Sequence, residues 1–334
     1  MEKKYINRNS LKDCLKKELL EGVSILAPAT RGEKTDFLLI DSVDEITTNH
    51  VQTIRSPKEV VFPPTEKLFS YKKDKNGVKL TDYNPDELKE TLVFGLHPCD
   101  ATGFIPLGSI FNWDSPDLQY NERRKRTTLI TLSCTQSDEY CFCTSVGCGP
   151  GNTEGSDILL TPIRHEGYLA EIITDKGLEW YNKYSSFFEE AHESIQKEDY
   201  LAYIPKKFDI EEISKKLPEL FESDIWNKQA ERCVGCGACA IVCPTCACFD
   251  IQENAQGNVG NRIRCWDSCC FSLFTLHTSG HNPRSTQGQR WRQRIMHKFS
   301  YMPDRLSVSG CTGCGRCSRG CPVDMNLSEQ LLSL

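Results

Sequence analysis

Two short stretches of the sequence decide its fold, and each contains four cysteines followed by a proline. The first reads Cys233-Val-Gly-Cys236-Gly-Ala-Cys239-Ala-Ile-Val-Cys243-Pro244, and the second reads Cys311-Thr-Gly-Cys314-Gly-Arg-Cys317-Ser-Arg-Gly-Cys321-Pro322. Both have the spacing C-x2-C-x2-C-x3-C-P. Three thiols separated by two residues each can converge, and the glycines between them let the backbone approach whatever the thiols hold. The repeat therefore predicts a pair of related metal-binding segments.

This spacing is typical of bacterial proteins with two [4Fe–4S] clusters, in which the fourth cysteine of each run ligates the other cluster. The rule divides the eight cysteines into two sets. The first cluster takes Cys233, Cys236, Cys239 and Cys321, and the second takes Cys243, Cys311, Cys314 and Cys317. Structural zinc is the alternative, but zinc sites pair C-x2-C knuckles over longer gaps and need only four ligands.

The two runs are separated by a long insert, because 67 residues lie between Cys243 and Cys311. Such an insert favours a helical two-cluster module over the compact β-hairpin type of ferredoxin. The insert also contains Cys246, Cys248, Cys265 and the adjacent pair Cys269-Cys270, whose spacings are poor for disulfides. These cysteines either ligate further iron or pack beside the clusters.

Composition predicts a two-domain intracellular protein. The chain has 334 residues, a net charge of −6 and 19 cysteines, thirteen of which lie between residues 233 and 321. We expect an α/β domain over 1–205 and a helical ferredoxin-like domain over 206–334, entered through an amphipathic helix at 209–226 that Pro218 splits.

The mild acidity argues against a nucleic-acid partner. With no signal sequence and no apolar run of about 18–20 residues, we expect a cytoplasmic protein without a membrane span.

The first 200 residues show the mixed pattern of an α/β domain. Helices are predicted at 9–20 and 176–195, and a connector at 196–206. Short β-branched or apolar runs predict strands at 23–27, 37–40, 60–62, 91–96, 127–132, 157–161 and 168–173.

Four of the N-terminal cysteines are candidates for a third cluster. Cys99 and Cys134 each follow a predicted strand, and the carboxyl ends of neighbouring strands share an edge of the sheet, where cofactors bind. Cys141 and Cys143 follow closely enough to fold back to that edge. A third [4Fe–4S] cluster is thus predicted, with one or two simple buried thiols as the alternative. Cys14 belongs to a helix core, and Cys148 is unassigned.

Other cofactor motifs are missing from the sequence. It contains no G-x-G-x-x-G after a strand, no P-loop and no H-E-x-x-H, so we predict neither flavin nor nicotinamide in this chain. Residues 284–298 carry five basic side chains and no acid. This stretch predicts either counter-charge for the thiolate clusters or a docking patch for an acidic partner, with nucleic acid as a weak third option. His281 and His297 are predicted to be structural.

The whole chain resembles the iron–sulfur subunit family of cytosolic nickel–iron (sulf)hydrogenases, β-subunit type, which includes an equivalent iron–sulfur component of anaerobic sulfite reductase. The second four-cysteine run carries this resemblance together with the following segments: Pro98-Cys99-Asp100, Cys134, Cys141-Phe-Cys143-Thr-Ser-Val-Gly, Cys243-Pro-Thr-Cys246-Ala-Cys248, Trp266-Asp-Ser-Cys269, Gly280-His-Asn-Pro-Arg284 and His297-Lys-Phe299. The family pattern includes the N-terminal four cysteines and also Cys246, Cys248 and Cys269. It commonly has other residues at 148, 265 and 270, which makes those three cysteines poor ligand candidates.

The resemblance implies an electron relay between two partners, one that binds flavin and NAD(P) and one that is a catalytic metalloenzyme of hydrogenase, sulfite reductase or heterodisulfide-reductase-linked type. Two alternatives remain open from the residues. The N-terminal cysteines could form a substrate site of a reductase, or the clusters could act as a redox sensor.

Overall fold

The structure is a computed structural model that describes residues 2–163 and 167–334. Its strands are β1 (Glu2–Asn7), β2 (Ser24–Arg31), β3 (Lys34–Ile40), β4 (Thr65–Asp74), β5 (Gly77–Asp82), β6 (Thr91–Leu96), β7 (Thr127–Leu132), β8 (Ile158–Ile163), β9 (Gly167–Ile172), β10 (Glu189–Glu190), β11 (Phe249–Gln256) and β12 (Val259–Trp266). Its α-helices are α1 (Arg8–Leu20), α2 (Pro98–Phe111), α3 (Leu118–Lys125), α4 (Asp175–Lys183), α5 (Ile210–Lys216), α6 (Ile225–Ala230), α7 (Ala238–Ile241), α8 (Gln287–Met296), α9 (Met302–Leu306), α10 (Arg316–Arg319) and α11 (Leu327–Leu332). Among the described residues, no helix has both the length and the apolar character needed to cross a membrane.

An eight-stranded mixed sheet organises the N-terminal region. Its order is β10-β1-β9-β8-β7-β6-β2-β3, and β2, β6, β7 and β8 run parallel to one another. The central strands β6 and β7 are buried along almost their whole length, as expected for parallel strands that are covered on both faces. This sheet confirms the mixed α/β character predicted for the region.

Several predicted elements agree closely with the structure and two do not. The strands at 91–96 and 127–132 coincide with β6 and β7, and the predicted helix at 9–20 is α1. The predicted strand at 60–62 is wrong, because Pro57 starts a 3-10 turn over Pro57–Val60. The helix predicted over 176–195 ends at Lys183, where Tyr184 and Phe188 fold back against Trp180 with ring centroids 5.0 and 6.2 Å away.

A second, four-stranded sheet has the order β11-β12-β4-β5, so its two hairpins come from opposite halves of the sequence. Strand β12 pairs antiparallel with β4, from Val259 opposite Lys72 to Cys265 opposite Thr65. The sequence predicts neither hairpin. The helical description of the C-terminal region therefore does not extend to residues 249–266.

The rest of the C-terminal region is helical. The predicted break at Pro218 is present, because α5 passes there into a 3-10 turn over Leu217–Leu220 before α6 begins. Trp226, Trp291 and Phe299 form the centre of its core, and Phe142 and Val146 from the N-terminal region belong to the same core. The two regions consequently share buried surface as well as a sheet.

Candidate iron–sulfur centres

The two four-cysteine runs fold alike and lie against each other. Each run has two glycines with positive φ, between +66° and +75°: Gly235, Gly237, Gly313 and Gly315. Each then enters a single helical turn, α7 in the first run and α10 in the second, and these two turns are in contact. The internal repeat of the sequence is therefore also a structural repeat.

The first predicted set of thiols comes together around one small cavity of about 30 Å³. Its lining includes Cys233, Cys236 and Cys239 from the first run and Cys321 from the second. Cys321 of the second run therefore lies beside the first run, and Cys317 and Cys270 line the same cavity. Gln287 Nε2 donates to Cys233 Sγ at 3.1 Å, and the Met325 N–H donates to Cys321 Sγ at 3.3 Å.

The second predicted set is more deeply buried. Burial raises the pKa of Cys311 to about 12, Lys298 lowers it, and the nearby thiols of Cys317 and Cys243 raise it. Burial also raises the pKa of Cys314, and the nearby Cys243 thiol raises it further. Cys243 of the first run therefore lies among the three leading cysteines of the second.

Part of the basic stretch 284–298 is buried, and two of its side chains reach thiols. Arg294 and Lys298 are 2% and 3% exposed, and Arg290 is 8% exposed. Lys298 Nζ lies 3.3 Å from Cys243 Sγ, and Arg294 Nη1 lies 3.5 Å from Cys246 Sγ. The prediction of a surface docking patch is therefore wrong for these three side chains, because they are buried. The placement of Arg294 and Lys298 instead matches the counter-charge interpretation.

The N-terminal cysteines gather where β6 and β7 end. Burial raises the pKa of Cys134 well above its ordinary value, and the neighbouring thiols of Cys143, Cys141 and Cys148 raise it further. Cys148, to which the sequence assigns no role, thus belongs to this group. Cys99 lies at the start of α2, where the thiols of Cys314 and Cys134 add to the burial that raises its pKa.

Three contacts hold this N-terminal group against the second run. The Phe142 N–H donates to the Gly313 carbonyl at 3.0 Å, and Arg319 Nη2 lies 3.3 Å from Cys141 Sγ. Arg316 forms a buried ion pair with Asp100, in which each side chain is 1% exposed. The N-terminal thiols and the second set consequently form one continuous site.

Cys246, Cys248 and Cys269 line a second cavity, of about 90 Å³, which lies next to the two ferredoxin sets because the Cys246 thiol is hydrogen-bonded to Cys243. The remaining cysteines are placed differently. Cys270 Sγ lies 3.6 Å from Cys239 Sγ, Cys265 is on strand β12, and Cys14 is on α1, where it is fully buried in the core. His297 lines the 90 Å³ cavity, whereas His281 packs edge-on against His277 at 5.4 Å.

Several groups at the site have no signal in the sequence. Lys58 is 3% exposed and donates to the carbonyl oxygens of Cys246 and Ala240, and Gln52 Nε2 lies 3.4 Å from Cys99 Sγ. Both come from the segment between β3 and β4, far from any cysteine along the chain. Only the folded structure brings them to the thiols.

The thiol groups line cavities and do not meet at a point. Within residues 2–163 and 167–334, no three His, Cys, Asp or Glu side chains are arranged to hold a single metal ion. Structural zinc requires four ligands converging on one ion. Among the described residues there is therefore no ready-made arrangement for the single ion of the zinc alternative.

Comparisons with known proteins agree with this chemistry. Residues 232–325 match the family described as a 4Fe-4S dicluster domain. The chain is 31% identical over 306 residues to sulfhydrogenase 2 subunit beta of Pyrococcus furiosus, which covers 90% of this chain and 88% of that protein. No solved structure matches. The chain therefore belongs to the iron–sulfur subunit family of the sulfhydrogenases.

Proposed function

We propose that the chain is the electron-transfer subunit of a multi-subunit oxidoreductase and passes single electrons along its clusters. The observation that carries this proposal is an unbroken series of thiol groups through the molecule. At one end Cys236 is exposed, and at the other Cys134 of the N-terminal group lines an open crevice. A chain that only stored iron would not need ligands linked from one surface to another.

The series can be followed from each thiol to its electrostatic neighbours. Burial raises the pKa of Cys317 to about 11, and among its neighbours are Cys314, Cys243 and Cys239. Cys239 belongs to the first predicted cluster, whereas Cys314 and Cys243 belong to the second. Cys99 then has both Cys314 and Cys134 as neighbours. Each predicted cluster is thus adjacent to the next in the series.

We assign the ligands as the spacing predicts. Two [4Fe–4S] clusters take Cys233, Cys236, Cys239 and Cys321, and Cys243, Cys311, Cys314 and Cys317. A third takes Cys99, Cys134, Cys141 and Cys143. The clusters would supply the redox chemistry. The residues of this chain hold them, exclude water and, through Lys298 and Arg294, balance their negative charge.

The partners we propose are a protein that binds flavin and NAD(P), together with a catalytic metalloenzyme, in a cytoplasmic complex. The relative in Pyrococcus furiosus is itself called a subunit. We also propose the division into residues 1–205 and 206–334. The hairpin of β11 and β12 reaches back from the second unit onto the first.

Metal analysis of the anaerobically purified protein tests the cluster assignments. With about four iron atoms per cluster, Cys134→Ser should lose about four iron and four sulfide relative to wild type. Cys14→Ala, which changes a buried thiol outside the site, should lose none. Cys148 lies in the same thiol group as the assigned ligands, so Cys148→Ser and Cys99→Ser are compared. The assignment of Cys99 as the fourth ligand requires that Cys99→Ser, and not Cys148→Ser, loses the iron. An unchanged iron content in Cys134→Ser would reject the third cluster.

A second candidate function is a reductase with its own substrate site. A crevice of about 540 Å³ lies beside Cys134 and is lined by His50, His97 and Ser133 among others. The two imidazole rings are stacked with centroids 5.0 Å apart, and no partner within the described residues reaches Ser133 Oγ. Such a polar crevice beside a cluster suits a small electron acceptor.

Single-turnover measurements separate the two functions. The reduced chain is mixed with each partner protein and, separately, with candidate small acceptors, and the cluster absorbance is followed. Oxidation by the catalytic partner alone supports the relay. Oxidation by a small acceptor without a partner supports the reductase. Cluster-dependent binding to specific DNA, with no electron exchange, would support a redox sensor.

A further inference from the structure

We infer that Cys246, Cys248 and Cys269 hold an additional iron–sulfur cluster, separate from the two clusters of the ferredoxin runs. The inference rests on the proposed iron–sulfur function of the chain. It does not depend on the N-terminal site.

The backbone brings these three cysteines together through the hairpin of β11 and β12. Phe249 at the start of the hairpin pairs with Trp266 at its end. The residues just outside the hairpin therefore face each other, and the Asp267 N–H donates to the Cys248 carbonyl at 2.9 Å. Cys269 follows two residues later. The hairpin thus brings together thiols from the two segments that flank it.

The three thiols face a common space. They line a cavity of about 90 Å³ together with Arg294, His297 and Lys298. One water molecule needs only ~10–15 Å³. Side chains whose only purpose was packing would close this space, since protein interiors are normally filled.

The charges around the cavity are unbalanced without an anion. Lys58, Arg294 and Lys298 are each at most 3% exposed. Their hydrogen-bond partners are carbonyl oxygens, a hydroxyl and cysteine sulfurs, and within the described ranges none of them pairs with a carboxylate. Buried cations without an anionic partner are strongly unfavourable. Something negative must therefore occupy this region.

The two ferredoxin clusters can balance only part of the positive charge of these three side chains. Lys298 contacts Cys243 of the second cluster, and Arg294 lies near Cys239 of the first as well as Cys246. The Lys58 ammonium donates to the Cys246 carbonyl at 2.9 Å and lies 4.3 Å from the Trp266 ring centroid. Its neighbouring thiols are Cys246, Cys243 of the second cluster and Cys248. A cluster held by three thiolates would provide the missing anion beside it.

Three cysteines leave one corner of such a cluster without a thiolate. This ligand set suits either a three-iron cluster or a four-iron cluster whose last corner has another ligand. His297 lines the same cavity and offers an imidazole there. Both forms add three to four iron atoms to the total.

The test is the iron and sulfide content of the full-length, anaerobically purified protein. Cys246→Ser/Cys269→Ser should lose about three to four iron relative to wild type, with the EPR signals of the ferredoxin clusters unchanged. Cys265→Ser, a change on strand β12 outside the cavity, is the matched control and should lose none. A double variant with wild-type iron content would overturn the inference.

A second variant covers the case in which the double variant does not fold. Lys58→Met keeps all three cysteines and removes one positive charge. The midpoint potentials of two EPR signals should fall, that of the additional cluster and that of the second ferredoxin cluster, because Lys58 neighbours the thiols of both and the more negative reduced states lose a stabilising cation. A shift of the second ferredoxin signal alone would contradict the inference. A titration in which no signal moves would contradict the inference. If the wild-type protein itself contained no iron or sulfide, the proposed function would fail as well.

Discussion

At the scale of single residues, the ion pair of Arg316 and Asp100 joins the second cysteine run to helix α2. Arg316 also donates to the Thr53 carbonyl at 3.1 Å, so its guanidinium is enclosed on several sides. Removing one partner of a buried pair leaves an uncompensated charge, at a cost of ~3–5 kcal/mol. We therefore expect Asp100→Ala to lower the free energy of unfolding by that amount, measured by urea denaturation of the reconstituted protein.

The control for this variant is Glu122→Gln, which removes the partner of Arg126 in an i,i+4 pair that is partly exposed on α3. Such pairs contribute only ~0.3–0.5 kcal/mol. If both variants shifted the urea midpoint equally, the buried pair would not hold the run against α2.

Cys14 is predicted to make stability depend on pH in the alkaline range. It is fully buried, and burial raises its pKa from 9.0 to about 12. The unfolded chain ionises this thiol first, so it binds fewer protons than the folded chain between these two values. The free energy of unfolding should therefore be unaffected by Cys14 below pH 9 and fall as the pH rises toward 12, by up to ~1.4 kcal/mol per unit.

Urea denaturation of wild type and Cys14→Ala at several pH values between 8 and 11 measures this effect. The Ala variant starts from lower stability because it leaves a cavity. Its stability should nevertheless fall less steeply with pH. Parallel curves for the two proteins would show that Cys14 is not the titrating group.

At the scale of elements, the sequence predicts buried strands and misses exposed ones. Strands β6 and β7 can be recognised because they are apolar along both faces. Strand β11 is exposed along its whole length and β5 likewise, so neither has an apolar side from which a period of two could be recognised. Their pairing is made by backbone hydrogen bonds between segments far apart in sequence.

The same contrast applies to the site. Spacing within each run predicts that Cys321 joins the first group, because the crossing follows from local sequence. Lys58 and Cys270 could not be anticipated. Each reaches the thiols from a segment whose position depends on the fold of the second sheet and its connections.

The contact between the second run and the N-terminal thiols depends on a glycine. Gly313 has φ +66°, and a Cβ there would lie 2.5 Å from both the Cα and the nitrogen of Cys143. Gly313→Ala should therefore push the two loops apart and lower the iron bound by the N-terminal group. Gly147→Ala is the matched control, since Gly147 also has a positive φ, +82°, but open space around its Cβ position.

Metal analysis and the spectrum of the proposed N-terminal cluster compare these two glycine variants. Both incur the backbone cost of a side chain at positive φ. Only Gly313→Ala adds the collision with Cys143. Equal losses in the two variants would mean that backbone strain alone, and not the contact between the loops, determines the result.

At the scale of the whole molecule, the second sheet should make the two regions unfold together. Glu66 on β4 is fully buried at its side chain, and Arg264 on β12 donates to it through Nε at 2.9 Å. Arg123 of α3 is a further partner of Glu66. This group therefore ties together segments separated by nearly 200 residues. Loss of the Glu66 charge would leave Asp117 as the carboxylate that pairs with the buried Arg264 and would remove the ion-pair partner of Arg123.

We expect Glu66→Gln to speed hydrogen exchange in both β4 and β12, measured by mass spectrometry of the intact holoprotein. Exchange should also rise at the loop of the second run, because the same regions meet again at the N-terminal thiols. Glu222→Gln removes the charge of a carboxylate that is itself 87% exposed in its pair with Arg292, and it should leave all these rates unchanged. Faster exchange in β4 alone would mean that the regions open independently. Joint opening would mean that the sheet holds the cluster-bearing segments at fixed separations, as an electron relay requires.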